Sequence, residues 1–332
     1  MRRLIGYIRA LVQFLAVLMA ACLTLFPPQA LAQAWPQKPV KVLIGFSPAG
    51  PPDMSTRIVA PKLSEALGQS VIPENRPGAG GLIAMEAVAK AAPDGYTLAL
   101  GTVGTMLLTK ALIPTADYDP ITSFAPIGTF ARTTFILVSS SDLPARNLKE
   151  FLDLARKQPG KLNYGAALPG TPPHILAEMF KSQAGVDLFG IYYKGSADMV
   201  TRFIAGDFQM MIDSYAVFGP VIRSNKAIPL LVTSAARSEK LPEVPTAREV
   251  GLPDFTVASW QGLVAPAGTP DAIIRRVSGE LLKIVASKEI AAAFEKLGLE
   301  TMSSTVEEFA AQIRADWPKW NAAVKASGAK AQ

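Results

Sequence analysis

Two side chains that carry much of enzyme chemistry are nearly absent from this 332-residue chain, which has one cysteine, Cys22, and one histidine, His174. Cys22 falls in an N-terminal stretch that reads as a cleavable leader. Without it the mature protein has no thiol, which excludes disulfides and cysteine–zinc sites. A Ser-His-Asp triad would have to use His174, yet no G-x-S-x-G elbow occurs anywhere in the chain. One histidine with scattered carboxylates is an equally poor metal-ligand set. Net charge is also low. Three units of the formal +6 belong to Arg2, Arg3 and Arg9, and no acid accompanies them, so removing the leader leaves +3. The remaining basic residues are scattered, which argues against nucleic-acid binding despite a pI of 9.3. The chain contains no exact repeat and no low-complexity tract. The expectation is therefore a protein with no catalytic residue, metal or cofactor.

The leader has the three parts of an export signal. Arg2, Arg3 and Arg9 form a positive n-region, Ala10–Phe26 is a largely apolar h-region, and Pro27-Pro28 precedes Ala30-Leu31-Ala32, an A-x-A cleavage site. The apolar run of 17 residues is at the short limit for spanning a bilayer and small residues follow it directly, so cleavage is favoured over anchoring. Ala20-Ala21-Cys22 is a poor lipobox, because Met19 stands where a branched residue is usual. Sec-type export after Ala32 is expected, leaving 300 residues, enough for two modest α/β domains.

The mature chain repeats strand, loop and helix, the grammar of a parallel α/β sheet. Candidate strands are Val40–Phe46, Gln69–Pro73, Thr97–Gly101, Thr134–Ser139, Leu162–Gly165, Leu188–Tyr192, Phe208–Ile212, Pro229–Thr233 and Val257–Val264. Helical patterns cover Met54–Leu67, Leu82–Lys90, Leu148–Lys157, Pro173–Ala184, Met199–Ala205 and Pro270–Ala286. A capping box at Thr305-Val306-Glu307-Glu308 opens the last helix. Pro61 and Pro318 are expected to kink their helices or end them early. The chain crosses without a long linker near Phe130–Ser140 and again near Leu252–Ser259. Two crossings imply that residues 136–255 form a domain inserted into one made of 33–135 and 256–332. The paired crossover strands would be a hinge, with ligand between the domains.

Three loops share one plan, in which a strand ends, small or hydroxyl residues follow and a helix begins. They are Ser47-Pro48-Ala49-Gly50-Pro51-Pro52-Asp53, Thr102-Val103-Gly104-Thr105 and Pro169-Gly170-Thr171-Pro172-Pro173-His174. Free N–H groups and the positive end of the dipole make a helix start hospitable to carboxylate or phosphate. Taken singly, Asp53 and Thr171 read as ordinary N-caps. Three such loops in a two-domain chain point to a cleft. In the loop Glu74–Gly81 a dinucleotide fingerprint would need glycine at position 83, where Ile83 stands, so its glycines read as a tight turn beside the sheet. His174 has two open readings, a polar residue packed at a helix start or a ligand-facing one. Asp213 would cap the next helix or accept from a ligand amino group, with the cap preferred, and Lys194 reads as a solvated charge.

The segments GFSPAGPPD, ALGQSVIPENRPGAGG, KAAPDGYTLALGTVGT, KLNYGAALPGTPPH, YYKG and SWQGLVAPAGTP, in this order, resemble the extracytoplasmic solute receptors of tripartite tricarboxylate transporters, the Bug family. The resemblance spans essentially the whole mature chain. It implies a type II-like "Venus flytrap" in the periplasm that binds a small organic acid, amino acid or aromatic acid. It also implies delivery to a membrane permease with one large and one small subunit, by a receptor expected to be monomeric. By motif position it marks Phe46, Ser47, Ala49, Asp53, Thr102, Gly104, Thr105, Gly170, Thr171, His174 and Asp213 as ligand-binding. The chain departs from the family at Pro48, Pro51 and Pro52, where glycines are usual. It departs again at Pro172-Pro173, at Met106 where histidine is common, and at Tyr192 in place of proline. Each proline deletes a donor, so the expected ligand has one carboxylate and an apolar or aromatic body. A receptor reporting to a membrane sensor kinase is an alternative of the same fold. An exported hydrolase is disfavoured by the missing elbow and the solitary histidine.

Overall fold

The computed structural model describes residues 35–166, 171–193 and 196–329. The leader with Cys22, and the site candidates Gly170 and Lys194, lie outside the described residues.

Strand β1 (Val40–Ile44) pairs in parallel with β2 (Val71–Asn75) and β3 (Thr97–Thr102), and helices α1 (Pro51–Leu67) and α2 (Leu82–Ala89) lie between them in sequence. Further along, β5 (Asn163–Ala166) pairs in parallel with β6 (Phe189–Tyr192) and with β7 (Met210–Ser214). Helices α4 (Leu148–Lys157), α5 (Pro172–Ala184) and α6 (Ser196–Ile204) belong to this region, as do α7 (Tyr215–Arg223) and β8 (Ala227–Val232). Two long strands join the parallel regions. The 17-residue β4 (Phe124–Ser140) pairs antiparallel with β9 (Ala258–Pro266) over its first part and with β7 and β8 over its last. β9 in turn pairs with β3, which gives the order β2-β1-β3-β9-β4-β7-β5-β6. β4 and β9 therefore lie between the two parallel regions in the sheet.

β4 starts ten residues before the apolar run Thr134–Ser139 that signals it. Register shifts between Pro126 and Gly128, and between Thr129 and Ala131, let the strand pass through a proline and a glycine that the apolar run does not include. Of the two outcomes expected at Pro61 and Pro318, a kink or an early end, the early end does not occur. α1 runs on to Leu67 and α10 (Val306–Ser327) runs on to Ser327. Each helix buries residues on both sides of its proline, Thr56 and Leu63 in α1, Ile313 and Trp320 in α10, and that packing outweighs one lost backbone bond. Other elements are not signalled in sequence. The π-turn Val103–Leu108 runs into the short α3 (Thr109–Leu112), and α7 contains Gly219 and Pro220. Helices α8 (Asp271–Val285) and α9 (Lys288–Lys296) then precede the two-residue β10 (Glu300–Thr301).

The glycine-rich loop is a tight turn beside the sheet, as its composition implies. Gly81 has φ +94°, and a Cβ there would come 2.5 Å from Thr105 Cγ2, while one on Gly45 would meet Gly81 Cα at 2.7 Å. Trp260 is 1% exposed. Its indole N–H donates to Asp316 at 2.9 Å and its ring meets Phe309 edge-on, so it ties β9 to α10 inside the core. Burial raises the Asp316 carboxyl, although bonds from Gln312 and Trp260 pull it back down. The capping box is present, with Glu308 N donating to Thr305 Oγ1 and Thr305 N to Glu308 Oε2. Thr305→Ala is expected to cost about 1 kcal/mol, measured as a lower urea midpoint with an unchanged slope.

Candidate functional site

The strand ends and helix starts of both parallel regions meet around a cavity of about 380 Å³. Two other pockets of similar volume, about 410 and 440 Å³, are bordered by charged side chains held in ion pairs such as Lys41–Glu74 and Arg132–Glu300. The 380 Å³ cavity differs in being mostly apolar with a few converging polar groups, the usual character of a small-molecule site.

Three helix starts of eight residues or more face this cavity. α1 opens with Pro51 and Pro52 at its first two positions after Gly50, and α5 opens with Pro172 and Pro173 after Thr171. α7 opens after Ser214, and Ala216 and Val217 of its first turn also border the space. The two crossover strands supply the base, with Thr133 and Phe135 from β4 and Ser259 and Gln261 from β9. Thr133 and Ser259 are register partners and so share a face. Leu297, Gly298 and Leu299 close one side. Gly298 has φ +69°, and a Cβ there would lie 2.2 Å from the Ala216 Cβ, so glycine is what lets this loop abut α7.

Of the residues marked in sequence, the cavity brings together Phe46, Thr102, Gly104, Thr171 and Asp213. Ser47, Ala49, Asp53, Thr105 and His174 are not on its wall. Ser47 and Ala49 are exposed, and Ala49 takes φ +67°. Asp53 is not a helix cap, because the helix begins two residues before it. Its buried carboxylate accepts from Ala49 N at 2.9 Å, Arg57 Nε at 3.0 Å and Asn75 Nδ2 at 2.7 Å. Asn75 Nδ2 also donates to the Phe46 carbonyl at 3.1 Å, so the pair fixes the loop that carries Phe46. Burial pushes the Asp53 carboxyl up, but the bonds from Arg57, Asn75 and Ala49 and the Arg57 charge together bring it below its ordinary value. Thr105 and Thr102 cap each other reciprocally at the start of the π-turn, with Thr105 N donating to Thr102 Oγ1 at 3.0 Å. Met106 is fully buried, and its Sδ would lie 2.6 Å from a Cβ on Gly101.

His174 is 2% exposed, on α5. Its Nε2 lies 3.1 Å from the Tyr192 hydroxyl, which is 3.4 Å from the Tyr164 hydroxyl. Tyr164 donates to Glu178, which pairs with Lys181 at 3.0 Å. Burial lowers the His174 pKa, against the opposing charge of Glu178, so the ring is neutral at neutral pH. Burial and then Glu178 push the Tyr164 phenol far up. Asp213 is 6% exposed and accepts from Ser214 N at 2.7 Å. The preferred reading of Asp213 as a cap is corrected, because Ser214 occupies the N-cap position of α7.

Sequence reasoning did not single out Ser214, Val217, Ser259, Gln261 or Leu297–Leu299. Gln261 sits in the quoted SWQG segment and a helix is expected after Asp213, whereas the 297–299 loop carries no local signal. Among the described residues no group of three or more His, Cys, Asp or Glu side chains converges as a metal set, and no helix is long and apolar enough to cross a membrane.

Residues 55–329 match the family model described as "Tripartite tricarboxylate transporter family receptor". A curated relative, the UPF0065 protein in the tcbD-tcbE intergenic region of Pseudomonas sp. (strain P51), is 34% identical over 288 residues, 86% of this chain and 85% of that protein. The solved structure of periplasmic binding protein BugD is 31% identical with TM-score 0.71, covering 90% of this chain and all of that one. Rpa4515 of R. palustris, solved with adipate, is 32% identical with TM-score 0.73 over 89% of this chain and 99% of that one. The fold is therefore the two-domain α/β design of periplasmic binding proteins, with β4 and β9 as the crossover strands.

Proposed function

Because the chain belongs to the tripartite tricarboxylate transporter receptor family, we propose that it captures a small carboxylate in the 380 Å³ cavity and hands it to a membrane permease with one large and one small subunit. In this reading the leader ends at Ala32 and the mature protein works in the periplasm as a monomer. Its domains are 33–135 with 256–332, and 136–255. Phe46, Thr102, Gly104, Thr171 and Asp213 border the ligand, and Asp53 shapes the loop that carries Phe46.

The observation that carries this reading is the convergence of family-marked positions and helix starts from both parallel regions on one apolar-walled space. Adipate in the related R. palustris protein fits the same class of ligand. The solute-binding family and fold likewise favour a receptor over an enzyme.

A thermal-shift panel of small carboxylates tests the proposal, after mass spectrometry has excluded a co-purified ligand. A binder at a hundred times its Kd should stabilise the folded state by about 2.7 kcal/mol and raise Tm by several degrees. A panel in which no carboxylate moves Tm would overturn it.

A further inference from the structure

Two of the three helix starts at the cavity begin with consecutive prolines, and this chemistry bears on which carboxylate fits. The first turn of a helix has amides with no partner inside the helix, and these are the groups that receive an anion. Pro51-Pro52 and Pro172-Pro173 remove two of them from α1 and two from α5, leaving pyrrolidine rings at the cavity wall. Phe46, Phe135, Val217 and Leu299 continue the apolar surface. Among the described residues lining the cavity there is no lysine, arginine or histidine, and the one ionisable side chain, Asp213, is itself an acid.

Donors remain on the base of the cavity and at the start of α7, where Thr133, Ser259, Gln261 and Ser214 border it. Gln261 is 4% exposed and borders the cavity. Ser55 Oγ lies 2.6 Å from its carboxamide oxygen, a separation typical of O–H···O rather than N–H···O, which identifies the oxygen end. The NH2 end makes no hydrogen bond within the described residues and so is available to donate to a bound group. Ser214, whose side chain makes no capping bond, and the proline-free first turn of α7 border the same space.

Resting on the reading of this cavity as the carboxylate site, we propose that it selects a monocarboxylate with an apolar, ring-sized body and discriminates against dicarboxylates. The carboxylate accepts from the Gln261 NH2 group and the Ser214 end, and the body lies against the two diproline helix starts. A second carboxylate at the far end of the body would lie against the proline rings, where no cation lines the wall among the described residues, and a buried charge without a partner is strongly unfavourable.

The test is isothermal calorimetry on the mature, ligand-free protein with benzoate, cyclohexanecarboxylate, adipate and malate. Benzoate or cyclohexanecarboxylate should bind at least about tenfold more tightly than either dicarboxylate. Adipate or malate binding as tightly as the better ring acid would overturn the proposal and leave the receptor reading standing. A blank across the four, together with a blank thermal-shift panel, would overturn both. Pro172→Ala with Pro173→Ala restores two amides and should move the adipate-to-benzoate affinity ratio about tenfold towards adipate. A folded double variant with an unchanged ratio would overturn the role given to the prolines, and the wild-type panel decides the selectivity whether or not that variant folds.

Discussion

Asp53→Ala is expected to destabilise the protein by about 2–4 kcal/mol, although the residue does not line the cavity. The substitution removes the acceptor for Ala49 N, Arg57 Nε and Asn75 Nδ2 in one step. Its side chain is only 3% exposed, so all three donors lose a buried acceptor at once. Arg57 is about half exposed, so most of the loss comes from the hydrogen bonds rather than from the ion pair. The loop that carries Phe46 also loses its anchor, since Asn75 is positioned by Asp53 and holds the Phe46 carbonyl. Urea unfolding should show the stability loss, and calorimetry with the best carboxylate should show weaker binding.

The pH dependence of this effect has a definite sign. The Asp53 carboxyl has a folded-state pKa below its ordinary value of 3.8. Its contribution is therefore fully present above that ordinary value and is lost as pH falls through the lowered one. The gap between wild type and Asp53→Asn should be widest near neutrality and shrink below about pH 3.8. A gap that stayed constant down to the acid transition would contradict this account.

Gln261→Glu is expected to weaken carboxylate binding by about a hundredfold or more at neutral pH. It replaces the unpartnered NH2 donor with an acceptor at a site 4% exposed, facing the ligand's own charge. Burial should raise the pKa of the new carboxyl, and its protonated form can donate again. Binding should therefore recover partly as pH is lowered towards about 5, where wild type changes little. Gln261→Leu should lose binding without any such recovery. A glutamate variant that binds within about twofold of wild type would show that this side chain does not meet the carboxylate. Because Gln261 also accepts from Ser55, both variants need a check of Tm.

The alternation of strands and helices through most of the chain and most of the loops that reach the cavity are legible in the amino-acid sequence. Both depend on local signals. Apolar runs mark β1, β3 and β7, glycines mark the turn at 78–81, and the residue types after each strand mark a helix start. Motif order also carried the family. Which of the marked residues face the ligand space depends instead on tertiary packing. Asp53 and His174 have the residue types of binding groups, yet packing turns Asp53 into the brace of its loop and His174 towards Tyr192. Conversely, Gln261, Ser214 and the Leu297–Leu299 loop reach the cavity through pairings between distant segments, such as Gln261 opposite Thr102 and Gly298 against Ala216. No local pattern encodes contacts of that kind. They arise because β4 and β9 run through the sheet beside both parallel regions, and the side chains on their cavity face become neighbours only when the sheet is assembled.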